Sequence, residues 1–223
     1  MNMNYLALGC LILCVLVYIV VANLFRNSSR VRPKSGLSGR EAAEKILQAY
    51  GADDVAVKEV DALLEDNYDP RQRVLFLSPD VYSHKNVSAV AFAAHECGHV
   101  LQEKDGSALL KVRKLLLPVC KYGSIAAYAL VAVGYAAKYY YLIPWGTALF
   151  SAITLLNLVT LPVEAGATKK AAAAVAELGL LNEEERRAGS RVMSAAGFNY
   201  FVAQVFPIVV IYQRASLFKR EKK

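Results

Sequence analysis

The sequence predicts an α-helical membrane protein that carries a small α+β unit on its cytoplasmic side. Three observations lead there. Hydrophobic residues fill 56% of the 223 positions, above the roughly 45–50% of an ordinary soluble domain, and they are gathered in blocks. Between the blocks lie segments with helix caps and short strand patterns. One of these, AFAAHECGHVLQ at 91–102, holds two of the chain's three histidines, four positions apart.

The first block, Tyr5 to Phe25, has no charged residue in 21 positions, enough for a helix across about 30 Å of hydrocarbon. It lacks the basic start and A-x-A-like end of a signal peptide, so residues 5–25 are expected to remain as an anchor. Residues 26–114 then form the soluble unit. Ser38 with Glu41 three positions on makes a capping box, and Gly51 suits the position after a helix end, which bounds a helix at about 39–49. DVAVKEV and VLFLS read as two short strands, with the turn DNYDP between them. Asn86 or Ser88 caps a helix that runs through the histidines to about Lys104.

Residues 115–163 are expected to form a transmembrane hairpin. Its first arm, Leu115 to Ala137, is interrupted only by Lys121, and its second, Tyr139 to Val163, has 25 uncharged residues. The Tyr139–Tyr141 run and Trp145 suit a membrane interface. Residues 164–191 return as cytoplasmic helices: TKKAAAAVAELG is alanine-rich and helix-favouring, and Asn182 with Glu185 makes a second capping box. Val192 to Gln213 is uncharged over 22 residues but contains Asn199, Gln204 and Pro207, so it either spans or is re-entrant. Residues 214–223 are a basic tail. The count is three to four transmembrane helices.

Basic residues orient the chain. Arg26, Arg30, Arg32 and Lys34 follow the first block, Lys111, Arg113 and Lys114 flank the second, and Lys169 and Lys170 follow the third. The positive-inside rule places all three groups in the cytoplasm of a multi-pass cell-membrane protein; only the basic tail resists it, if the last segment spans. The net charge of +7 is then a lipid-bilayer signal, at about 1 kcal/mol per basic residue near an anionic leaflet, and calls for no nucleic acid. The four cysteines suggest no disulfide framework. Cys10, Cys14 and Cys120 sit in or beside apolar runs, and Cys97 faces the reducing side.

The 95–99 pattern is H-E-x-x-H. On a helix His95 and His99 face the same way, with Cβ atoms about 5–6 Å apart, so both imidazoles reach one ion at the roughly 2.0–2.1 Å of a zinc–nitrogen bond. Glu96 is turned about 100° away. It misses the ion but reaches a water held by it, which is the general-base position of a zinc peptidase. A small α+β unit built round such a helix is zincin-like. A shuffled chain of this composition produces the pattern about once in a thousand, and the flanking AVAFAA marks a buried helix rather than two stray surface histidines. Cys97 points away from the ligand face.

Zinc needs a third protein ligand and an open position. His84, in VYSHKN, is a loop candidate. Glu103 shares the face of His95 but lies about 12 Å along the axis, too far for all three to meet. Asp105 stands where the longer H-E-x-x-H-x-x-G-x-x-H/D pattern has its last ligand, but that pattern turns on a glycine, and this chain has Gln102. Glu164 stands where the third apolar block returns to the cytoplasmic face, at the start of a helix, and a hairpin that leaves near the histidine helix must come back near it. His84 and Asp105 remain the alternatives that zinc analysis of a Glu164 variant separates.

Four separated stretches, SGLSGREAAEKIL, DNYDPRQRVLFLSPDVY, VAFAAHECGHVLQ and LVTLPVEAGATKKA, occur in the order of the YugP-like zinc-dependent membrane peptidases, and the chain resembles that family over nearly its whole length. The arrangement is also similar to the HtpX-like and CAAX-processing membrane peptidases. The resemblance implies a gluzincin site, with His95, His99 and Glu164 holding one Zn2+ per chain and Glu96 as the base. One departure stands out: the family usually has an aspartate two residues after the glutamate, and here it is Gly166.

The function expected is hydrolysis of peptide bonds in peptide or membrane-protein substrates at the cytoplasmic membrane face. The alternative is a zinc-binding membrane scaffold of weak or no activity, to which Gly166 lends support. Two lesser expectations accompany it. The strand 74–78, with Leu75 in it, is read as an edge strand for an extended substrate, with an ordinary structural strand as the alternative. Tyr68 is read as a donor to the oxyanion, against the alternative of a tyrosine packed on the core.

Overall fold

The structure is a computed structural model, and it describes residues 3–60, 66–158 and 160–194. Most of the last apolar segment and the basic tail therefore lie outside the described residues. The fold is mostly helical with one small three-stranded sheet. It divides into two compact units.

The first unit contains the start of α1 (Met3–Ser29) and residues 111–161. At 1.5 Å per residue the 27 residues of α1 extend about 40 Å. The helix α5 (Ala108–Ala136) and the run Leu142–Glu177, made by α6 (Leu142–Asn157) and α7 (Thr160–Glu177), are each long and apolar enough to cross a membrane. α5 and α6 pack closely where side chains vanish: a Cβ on Gly146 would come within 2.9 Å of the Ala127 carbonyl oxygen. Large apolar side chains such as Leu115, Tyr122, Ile125 and Trp145 face outward, a surface that suits lipid rather than water.

Two boundaries differ from expectation. Lys111, Arg113 and Lys114 lie within α5 instead of before it, because the helix starts at Ala108 and polar residues in the first turns of a long helix cost nothing at its wet end. Within the third apolar run the described helices are α6 and α7, on either side of residue 159. α6 ends at Asn157 and α7 starts at Thr160, so Glu164 falls in the second turn of α7 rather than at a helix start.

The second unit holds residues 20–110 and 162–194. Its helices are α2 (Gly39–Ala49), α3 (Pro79–Tyr82), α4 (Val87–Lys104), most of α7, and α8 (183–194). Both capping boxes are present. Ser38 Oγ accepts from the Glu41 amide while the Glu41 carboxylate accepts from the Ser38 amide, and Asn182 and Glu185 reciprocate in the same way. Gly51 sits at φ +61°, the left-handed stop after α2.

The sheet contains β1 (Ala56–Glu59), β2 (Asn67–Asp69) and β3 (Val74–Leu77) in the order β1-β3-β2. β3 pairs parallel with β1 and antiparallel with β2. This corrects two expectations. DNYDP is not only a turn: its Asn67–Asp69 is the third strand, and Asp69 Oδ1 then accepts from the Arg71 amide to close the tight connection to β3. The strand at 74–78 is also central, not an edge, so both sides of its backbone are occupied and an added chain finds no partner there. Leu75 is fully buried in the core and touches no substrate-accessible surface.

Ile46, Leu47, Leu75, Leu77 and Val90 join Ala93, Ala94, Cys97, Ala171 and Ala174 in one core. The small residues let α2 pack on α4 at Cys97 and α7 at Gly98. α4 begins at Asn86, whose Oδ1 accepts from the Ala89 amide at 2.8 Å. Asn86→Ala is expected to cost about 1 kcal/mol, seen as a lower Tm in detergent, while Asn86→Asp keeps the cap and the parental Tm.

Candidate metal centre

α4 and α7 build the site. α4 is buried over most of its length, including Glu96, Gly98 and His99. Gly98 lets α7 approach: a Cβ there would stand 2.3 Å from the Ala167 carbonyl oxygen. That crossing brings Glu164 over the histidine face. Glu164 Oε2 lies 3.0 Å from His95 Nε2 and 3.5 Å from His99 Nε2, and one ligand atom from each of the three residues lies within 4.8 Å of the others. The two imidazoles meet edge to face, with centroids 5.1 Å apart.

Each histidine is also held from behind. Thr168 Oγ1 is 3.2 Å from His95 Nδ1, and Gln102 Oε1 is 3.1 Å from His99 Nδ1. Neither partner was singled out from sequence. Their spacing carries a signal in hindsight: Gln102 is three residues after His99, and Thr168 four after Glu164, so each shares a helix face with a ligand candidate.

Glu96 is deeply buried beside these groups. Burial pushes its carboxyl above the ordinary range; the two histidines oppose this, while Glu164 and Asp66 reinforce it. Asp66 is itself raised by burial, although the Ser78 amide donates to its Oδ1 at 2.7 Å.

The other candidates have different partners. His84 pairs with Asp80 at 3.4 Å on an exposed surface. Asp105 caps α4 and pairs with Lys170. Glu103 accepts from the Tyr68 hydroxyl at 2.5 Å, and Arg73 donates to Tyr68 at 2.9 Å. Tyr68 therefore ties β2 to α4, and burial followed by Glu103 raises its pKa. Cys97 is buried against α2, with Sγ 3.8 Å from the Ala43 carbonyl oxygen.

Residues 3–219 match the protein family described as "Putative neutral zinc metallopeptidase". The chain belongs to that family. A Bacillus subtilis (strain 168) protein, "Putative membrane protease YugP", is 34% identical over 198 residues, covering 89% of this chain and 88% of that protein. No solved structure matches.

The three donors of this zinc-metallopeptidase family member are a group that could hold a metal ion. Ligand atoms at 2.0–2.1 Å from a tetrahedral zinc stand about 3.3 Å apart; Glu164 Oε2 stands 3.0 and 3.5 Å from the two histidines, and the three donors lie within 4.8 Å of one another. Two imidazoles and one carboxylate are also a ligand type that leaves a fourth position open in catalytic sites.

Proposed function

We propose that this chain is a multi-pass membrane zinc metallopeptidase with a zincin-like cytoplasmic unit, in which His95, His99 and Glu164 hold one zinc ion and Glu96 is the general base. The observation that carries it is the convergence of three donor atoms from α4 and α7 beside a buried carboxylate that is not one of them. Zinc bound there supplies Lewis acidity toward a water and a peptide carbonyl.

The chain's own residues do the rest. His95 and His99 present Nε2 to the ion, each with its Nδ1 engaged by a neighbouring side chain, which fixes ring orientation. Glu96 takes up a proton at a carboxylate oxygen and returns it to the leaving nitrogen. The Arg26–Lys34, Lys111–Lys114 and Lys169–Lys170 groups favour a cytoplasmic site. Glu164 follows the apolar run directly in sequence, which favours peptide substrates at the bilayer surface, membrane proteins among them. A zinc-binding scaffold of weak or no activity is the second reading, favoured by Gly166, which lies beside Gln102: a Cβ at 166 would stand 2.6 Å from Gln102 Nε2.

Elemental analysis of the protein purified in detergent tests the ligand set. The parent is expected to hold about one zinc per chain, and Glu164→Gln to bind zinc more weakly by over the 10–100-fold that loss of a supporting partner costs. Full zinc in Glu164→Gln would remove Glu164 from the set and return the third position to His84 or Asp105.

A further inference from the structure

The Gln102 side chain is buried, 5% exposed, between α4 and α7. Its Nε2 donates to the Val163 carbonyl oxygen at 2.8 Å, and its Oε1 faces His99 Nδ1 at 3.1 Å. A main-chain carbonyl only accepts, so it dictates which end of the amide faces it, and the oxygen is left to face the imidazole. An amide oxygen also only accepts, so the proton of His99 resides on Nδ1. With Nδ1 so engaged, His99 Nε2, 3.5 Å from Glu164 Oε2, is the nitrogen left for a metal ion. The same side chain thus touches His99 directly and the residue preceding Glu164.

We propose that Gln102 is a positioning residue of the metal centre: it selects the tautomer of His99 that presents Nε2 as a ligand, and through Val163 it sets Glu164 against that histidine. This rests on the zinc reading above. Gly166 belongs to the same device. A Cβ at 166 would stand 2.6 Å from Gln102 Nε2, so a side chain at 166 would make the amide shift from its two partners. Gln102 occupies the space beside residue 166, and a carboxylate placed there would displace the amide rather than add to it.

The test measures zinc affinity by chelator competition on the full chain in detergent, with Tm alongside. Gln102→Met and Gly166→Ala are each expected to weaken zinc binding about 10–100-fold. Because both act through one contact, the double variant should be no weaker than Gln102→Met alone. Gln102→Glu still accepts from Nδ1 but cannot donate to the Val163 carbonyl, so it should recover only part of the affinity. A role in packing alone would lower Tm and leave the affinity where it was.

Zinc affinity within about threefold of the parent in Gln102→Met, with Glu164→Gln strongly weakened, overturns the proposal and leaves the metal site standing. Unchanged affinity in Glu164→Gln overturns the site reading and the proposal together. Nitrogen-15 spectra of the metal-free parent give a check that needs no variant to fold. His99 is expected to carry a proton on Nδ1, with or without a second on Nε2, and a bare Nδ1 overturns the assignment.

Discussion

Glu96→Gln is expected to stop peptide hydrolysis while the metal stays in place. Glutamine has the shape of glutamate but no carboxylate to accept a proton, and Glu96 is not among the three converging donors. Loss of a general base costs about 10²–10⁴ in rate, or about 3–5 kcal/mol of barrier. The variant also removes a buried charge, which burial penalises, so its Tm should not fall below the parent's. The check is the cleavage rate of dye-quenched casein by zinc-loaded protein in detergent, with zinc content measured on the same samples. A variant rate within tenfold of the parent at equal zinc would remove Glu96 from the base role. Loss of zinc along with activity would instead place Glu96 in the ligand set.

The second large effect is expected at a residue with no side chain, next to His99 in the motif itself. Gly98→Ala would set a methyl 2.3 Å from the Ala167 carbonyl oxygen and 2.9 Å from its carbon. Both are main-chain atoms, so no rotamer change relieves the contact. Helix propensity alone predicts a gain of about 1 kcal/mol from this replacement. Packing predicts the opposite sign, a loss at the upper end of the 1–3 kcal/mol typical of overpacking, or about 3 kcal/mol. Zinc should be lost too, although residue 98 donates nothing, because α7 must retreat and carry Glu164 with it. Thermal unfolding and zinc content together decide it. Parental Tm and full zinc in Gly98→Ala would mean that α4 and α7 do not cross in contact at this point.

What could be read early was what neighbours in the chain control. A capping box closes within four residues, so Ser38–Glu41 and Asn182–Glu185 are legible without any tertiary contact. The H-E-x-x-H spacing works the same way, because one helical turn alone aligns His95 with His99. Strand pairing is different. VLFLS reads identically as an edge or as a central strand, and only the arrival of β2 from within DNYDP made it central. Gln102 is the sharpest case. Along the chain it is merely the absence of a motif glycine; in the fold it spans His99 and Val163, 61 residues from its own position.

Residue order by itself determined the apolar runs, the helix that carries two imidazoles on one face, and the neighbouring carboxylate, since each depends on spacings of a few residues and on the 3.6-residue turn. The tertiary structure decided which distant group completes the donor set, which nitrogen of His99 is free to bind, and what a side chain at position 98 or 166 would meet. Those depend on how closely α4 and α7 approach. That approach is set by backbone contacts between segments more than 60 residues apart, and no local periodicity encodes it.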